Sequence, residues 1–159
     1  MKINGISGVK QRTVTIHFMV DDDTAVEFKL RPLDASDDFE VVMPKPIAPV
    51  KIMAGGAKLN DLEDPGYKAS VDNWINKRFD WNVLRCLDAS EDLVFETVDM
   101  ANPETWANWQ TEFKAAFGNI NLGRIIDKFS EVNSLSNDGL EVARKCFLAS
   151  RRPVSEMTQ

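Results

Sequence analysis

The sequence predicts an α+β fold: an N-terminal β-hairpin or small antiparallel sheet, a proline-containing arm, and a C-terminal bundle of about four helices. Three observations carry this. Residues 13–20 and 25–31 alternate apolar and polar side chains in steps of two. Prolines and glycines crowd residues 44–64, and from residue 64 onward the apolar residues recur in steps of three and four. The organisation that follows is a hairpin or small-sheet region over 1–43, a linker or arm over 44–64, a helical bundle domain over 65–150 and a flexible tail over 151–159.

In the first alternating run Val14, Ile16, Phe18 and Val20 share one face. In the second, Val26, Phe28 and Leu30 oppose Glu27, Lys29 and Arg31, and Asp21-Asp22-Asp23-Thr24 supplies turn residues between the two. Pro32 ends the second strand because it has no N–H to give a ladder. A lone hairpin is marginal in water, so a third strand from Phe39 to Met43, or packing by a helix, is expected.

Pro44, Pro46 and Pro49 stiffen the next stretch and Gly55-Gly56 loosens it, which reads as a linker or long arm. Pro46 and Pro49 have PxxP spacing, a motif that recurs by chance and is outweighed by the linker reading. Asp64-Pro65 then places an N-cap before a proline at the first helical position, where its missing N–H is harmless. Val71, Trp74, Ile75, Phe79 and Val83 form the stripe of this helix to about Leu87, and Trp81 and Leu84 widen it.

Residues 92–98 read as an irregular connection, and Asn102-Pro103 repeats the cap-then-proline device. Trp106, Trp109, Phe113 and Phe117 follow, with Gly118 where a helix end wants a left-handed residue. A further helix capped by Asn119 or Asn121 carries Leu122, Ile125, Ile126, Phe129 and Val132. Asn133-Ser134-Leu135 makes a turn, and a last helix runs from Ser136 to Leu148.

Composition narrows the function. The net charge is −6 and the pI about 4.8, whereas neutralising phosphates needs a basic surface, so nucleic acid is not an expected partner. The basic pairs Lys77-Arg78 and Arg151-Arg152 read as a solvated helix face and a charged tail. No apolar run approaches the roughly 18 residues of a membrane span. Residues Met1 to Gly5 lack a signal-peptide core. A cytoplasmic location (the host cytoplasm, if the chain is viral) and reduced core thiols at Cys86 and Cys146 are therefore expected.

No catalytic, cofactor-binding or metal-ligating residue is assigned, and the chain is expected not to be an enzyme. His17 is the only histidine, which removes Ser-His-Asp, Cys-His and multi-histidine sites. Asp21 to Asp23 lack the spaced ligands of a calcium loop and read as a charged turn. The acidic clusters at Asp34, Asp37, Asp38 and Glu40, and at Asp61, Glu63 and Asp64, read as solvated charge able to steer a basic partner. Gly55-Gly56 lacks phosphate-loop spacing. A helix-turn-helix reading of Ile120 to Leu148 founders on a second helix whose Arg144 and Lys145 are offset by Asp138 and Glu141.

The aromatic residues are the informative ones. All four tryptophans fall between residues 74 and 109. Trp74, Trp106 and Trp109 suit a core, whereas Trp81 lies off the main stripe and is the best candidate for a protein–protein anchor. The protein-interaction set is thus Trp81, Trp74, Phe79, Trp106 and Trp109, and Trp81→Ala is expected to weaken partner binding with little loss of fold.

The second half also carries an ordered series: NPETWANWQTEF from Asn102, GNINLGRIIDKFSEVNSL from Gly118 and LEVARKCFLAS from Leu140, preceded by DPGYKASVDNWINKRFDWNVLRCL from Asp64. This series resembles the tail assembly chaperones of long-tailed bacteriophages over roughly residues 60–150. One departure is Leu122-Gly123-Arg124, where a glutamate is usual before the isoleucine. The resemblance implies a protein that binds the tape-measure protein, keeps it soluble and helps recruit tail-tube subunits, with self-association expected. It also implies a longer frameshifted product, diverging after Ser150. Two other readings fit the same residues: a virion tail or connector subunit, and a small acidic inhibitor or adaptor of a nucleic-acid-binding protein.

Overall fold

Alternation alone suffices to build the first well-packed element. In the computed structural model, which describes residues 13–33 and 39–133 together with two short N-terminal strands and Lys145, strand β3 (Val14–Met19) pairs antiparallel with β4 (Ala25–Leu30). The N-terminal strands, β1 (Lys2–Ile3) and β2 (Ile6–Ser7), pair with each other. The β3–β4 register sets Ile16 opposite Phe28 and Phe18 opposite Val26, so every inward side chain of the alternating runs lies on one face. At the turn, the Asp21 carboxylate accepts hydrogen bonds from the Asp23 and Thr24 amides at 3.0 and 2.7 Å. The Asp23 amide and then Thr24 hold its carboxyl below the usual aspartate range. The acidic run is turn chemistry at its first residue.

The hairpin is completed by a helix and not by a third strand. Helix α3 (Asn108–Val132) lays Phe113 and Phe117 on Phe18 and Phe28, with ring centroids 4.9–5.9 Å apart. Residues 39–43, expected as a strand, form the single helical turn α1 (Phe39–Val42). Two contacts explain the difference. The Phe39 ring is worth more inside, where it meets Trp74, Trp81 and Trp106 at 5.3, 5.8 and 6.0 Å. The second edge of β4 is already occupied: the Ser90 hydroxyl accepts from the Lys29 amide and donates to the Lys29 carbonyl, and the Arg31 amide donates to the Cys86 carbonyl.

The stretch read as a linker carries structure of its own. Strands β5 (Val50–Ile52) and β6 (Lys58–Asn60) pair antiparallel, and Gly55 and Gly56 turn between them at φ of 101° and 82°. All six strand residues are exposed. The base is fixed by the buried Ala48 and by a hydrogen bond from the Trp74 indole to the Met43 carbonyl.

Helix α2 (Pro65–Leu87) begins as its sequence dictates, with the Asp64 carboxylate accepting from the Tyr67 amide at 2.7 Å and Pro65 next to the cap. Its buried face holds Trp74, Trp81, Val83, Leu84, Cys86 and Leu87; Ile75, expected on the stripe, is 53% exposed. The Cys86 thiol is fully buried and lies 2.7 Å from the Arg31 carbonyl oxygen. Asn102 caps a short 3₁₀ turn (Pro103–Thr105) ahead of α3. Gly118 interrupts α3 as its sequence position suggests: its backbone is non-helical, at φ 80° and ψ 169°, a conformation that glycine alone adopts without strain, and two helical segments meet there at a kink. Asn121 serves this kink as a donor to the Phe117 carbonyl and not as an N-cap acceptor. Upstream of the kink α3 covers the hairpin; downstream, Ile125 and Phe129 join the core beside α2, with Phe79 edge-on to Phe129.

The architecture is therefore α+β, with antiparallel hairpins and, among the described residues, three helices. The expected count of about four is not confirmed: α3 comprises two segments that meet at Gly118, and the stretch expected for the last helix, 136–148, lies outside the described residues apart from Lys145, as do Cys146 and the tail. No described helix is long and apolar enough to cross a membrane.

Candidate interaction surface

The chain's chemistry-bearing groups are first accounted for by packing. Asp80, on α2, is buried, and its Oδ1 accepts from the Trp109 indole at 2.8 Å and from the Gln110 side-chain Nε2 at 2.7 Å. One turn earlier, the Lys77 ammonium donates to the Pro103 carbonyl at 2.7 Å and pairs with Glu104 at 3.2 Å. These two polar groups pin the start of α3 to the middle of α2. Sequence reasoning missed both; the signal was a charged residue at positions 77 and 80 of an otherwise apolar helix face. Asp80→Ala is expected to lower stability by about 1–3 kcal/mol, because the Trp109 N–H is left buried without an acceptor. Asp80→Asn should lose less, since its amide oxygen still accepts; urea denaturation distinguishes the two.

The loop between α2 and α3 is held by one carboxylate. Glu112, on α3, accepts from the Glu96 amide at 2.8 Å, the Thr97 amide at 2.7 Å and the Thr97 hydroxyl. Desolvation acts to raise its pKa, and the bonds from Thr97 and Glu96 outweigh it, leaving the group below the ordinary glutamate value of 4.5. A carboxylate depressed in the folded state contributes stability above its ordinary value and loses it as pH falls through the lowered one. Glu112→Gln is therefore expected to reduce stability at neutral pH and to flatten the loss of stability below about pH 4.5, read from denaturation midpoints between about pH 3 and 7.

The residues assigned to partner binding sit inside. Trp74, Trp81, Trp106 and Trp109 are all buried, and Phe79 is half-buried. Trp81 is 5% exposed, which corrects its placement off the stripe: α1 returns over this part of α2 and Phe39 covers the ring, while Arg85 stacks over it at 5.5 Å. In this conformation none of the tryptophan rings offers a partner an anchor. His17 is an exposed strand residue whose Nε2 lies 3.3 Å from Glu27 across the hairpin.

The surface available to a partner is instead the arm. Ile47 is 91% exposed and Ile52 69%, and Val50, Leu59 and Leu62 are exposed beside them. So many open aliphatic side chains within one short stretch make it the candidate interaction surface. The arm's own two strands, β5 and β6, also have outer edges that could take a further strand. No protein family, no curated protein and no solved structure matches this chain.

Beyond the arm, a groove of about 420 Å³ runs along β4, between the strand and the loop that follows α2. Phe28, Leu93 and Phe117 form its floor and Glu27, Glu91 and Asp92 its rim. Lys29 lies among these acids and pairs with Glu27 at 3.4 Å.

Proposed function

We propose that this chain is a non-enzymatic tail assembly chaperone of a long-tailed bacteriophage, one that holds the tape-measure protein and helps recruit tail-tube subunits. One observation carries the reading: the fold closes its own aromatic core while leaving the aliphatic arm of residues 47–62 open. A holding protein needs such a surface, apolar enough to cover amphipathic helices and carried on an acidic body that stays soluble. The ordered motifs from Asp64 to Ser150, which resemble those of that family, support the reading. Among the described residues, the buried carboxylate of Asp80 and the buried thiol of Cys86 are both engaged in packing contacts.

The test is co-expression with a tape-measure protein encoded beside this chain. The proposal expects the partner to move from the pellet to the soluble fraction and to co-purify. A partner that stays insoluble and is not retained removes it. The open strand edges of the arm would also suit repeated contacts in a virion tail or connector subunit. A structural subunit remains in mature particles, whereas a chaperone leaves, so protein analysis of purified particles decides between the two.

A further inference from the structure

We propose that Phe39 is an internal stand-in for a ligand: the seat it fills between Trp74, Trp81 and Trp106 takes an acid-flanked aromatic side chain of another protein, which displaces it. The seat is built for a ring. The three indoles lie with centroids 5.3, 5.8 and 6.0 Å from that of Phe39, in the edge-on and tilted arrangements that aromatic pairs prefer. Helix α2 supplies Trp74 and Trp81, and Trp106 stands just ahead of α3. The bonds from Trp109 to Asp80 and from Lys77 to Pro103 pin these walls to each other, and neither involves α1. The seat therefore keeps its shape when α1 leaves.

The occupant is held more lightly than the walls. Helix α1 is a single turn, and its Glu40, Val41 and Val42 are exposed. Besides the Phe39 ring and the half-buried Met43, one hydrogen bond joins this turn to the body among the described residues, from the Trp74 indole to the Met43 carbonyl. A turn with so few buried contacts opens locally more often than the helices beneath it. Charge narrows the ligand. Arg78 lies over the Trp74 ring at 5.1 Å and has no carboxylate partner among the described residues. A segment with acids beside its aromatic, as Asp38 and Glu40 flank Phe39 in the sequence, suits this rim. The seat is separate from the aliphatic arm, and the tail reading fails on a different measurement, the solubility of a co-expressed partner.

Hydrogen exchange of the wild-type chain reads the opening. The Trp74 indole N–H is protected by the Met43 carbonyl, and the Trp109 indole N–H by Asp80. The first should exchange about tenfold or more faster, because it is released with α1 while the second waits for the helices to part. Equal rates overturn the proposal. A peptide copying residues 37–45, Asp-Asp-Phe-Glu-Val-Val-Met-Pro-Lys, then probes the seat. The Phe39→Ala chain, or Phe39→Leu should the alanine chain not fold by circular dichroism, is expected to bind it. Wild type should bind it about tenfold or more weakly, because its own ring must leave first. Changing the peptide's phenylalanine to alanine should abolish binding, and changing its acids to amides should weaken it severalfold. A folded variant that does not take up the parent peptide overturns the proposal. So does wild-type binding of equal strength, or either changed peptide binding as well as the parent.

Discussion

Trp81→Ala and Trp106→Ala are expected to destabilise the protein alike, each by about 3–5 kcal/mol, the range for emptying a buried tryptophan site. In a chain of this length that corresponds to a fall in Tm of roughly 10 °C or more. The expectation rests on Phe39, whose ring meets both indoles, at 5.8 and 6.0 Å, so removing either ring opens a void against the same neighbour. Replacing both should therefore cost less than the sum of the single losses, because the two cavities share a wall. Denaturant unfolding of the two single variants and the double measures this directly. A Trp81→Ala protein within about 1 kcal/mol of wild type would show that its ring is not part of the core, and would return it to the surface as a binding anchor.

Replacing Ile47, Ile52 and Leu59 together by serine is expected to do the reverse. All three side chains stand in solvent, so folding stability should change by no more than about 0.5 kcal/mol per site. Partner holding should fall by more than tenfold, since each aliphatic side chain buried at an interface contributes about 1.5–3 kcal/mol. The measurement is the soluble yield of co-expressed tape-measure protein, with circular dichroism of the purified variant as its companion. If the triple variant holds the partner as well as wild type does, the arm is not the binding surface.

These two expectations invert the sequence-based assignment of Trp81, and the reason is physical. The β3–β4 register and the Asp64 cap are local, fixed by residues within a few positions of one another, and both were legible. Trp81 was not. A helical wheel of α2 shows one stripe for one neighbour, and nothing in it announces that Phe39, 42 positions earlier, folds back to make a second. The same return of the chain turns residues 39–42 from a plausible strand into a helical turn. On the arm the signals were present but brief. Val50-Lys51-Ile52 and Lys58-Leu59-Asn60 alternate for three residues each, too short for periodicity to speak, and Gly55-Gly56 was read as looseness where it makes a turn. At Gly118 the glycine did announce the break: the backbone is non-helical there, and the two segments of α3 meet at a kink.

The hydroxyl of Ser90 has a consequence for how the molecule assembles. It completes the outer edge of β4 across 61 residues of sequence, and the Cys86 carbonyl completes the next position across 55. Neither bond can form until α2 has docked end-on against the strand, so the hairpin cannot mature ahead of the helix. A newly made N-terminal half is left with a marginal two-stranded ribbon, waiting for its second half to emerge. These bonds span 61 and 55 residues, so they are non-local contacts of the kind that slow folding. Sheet and helices thus form a single cooperative unit, and truncation within α2 would cost the hairpin as well as the helix.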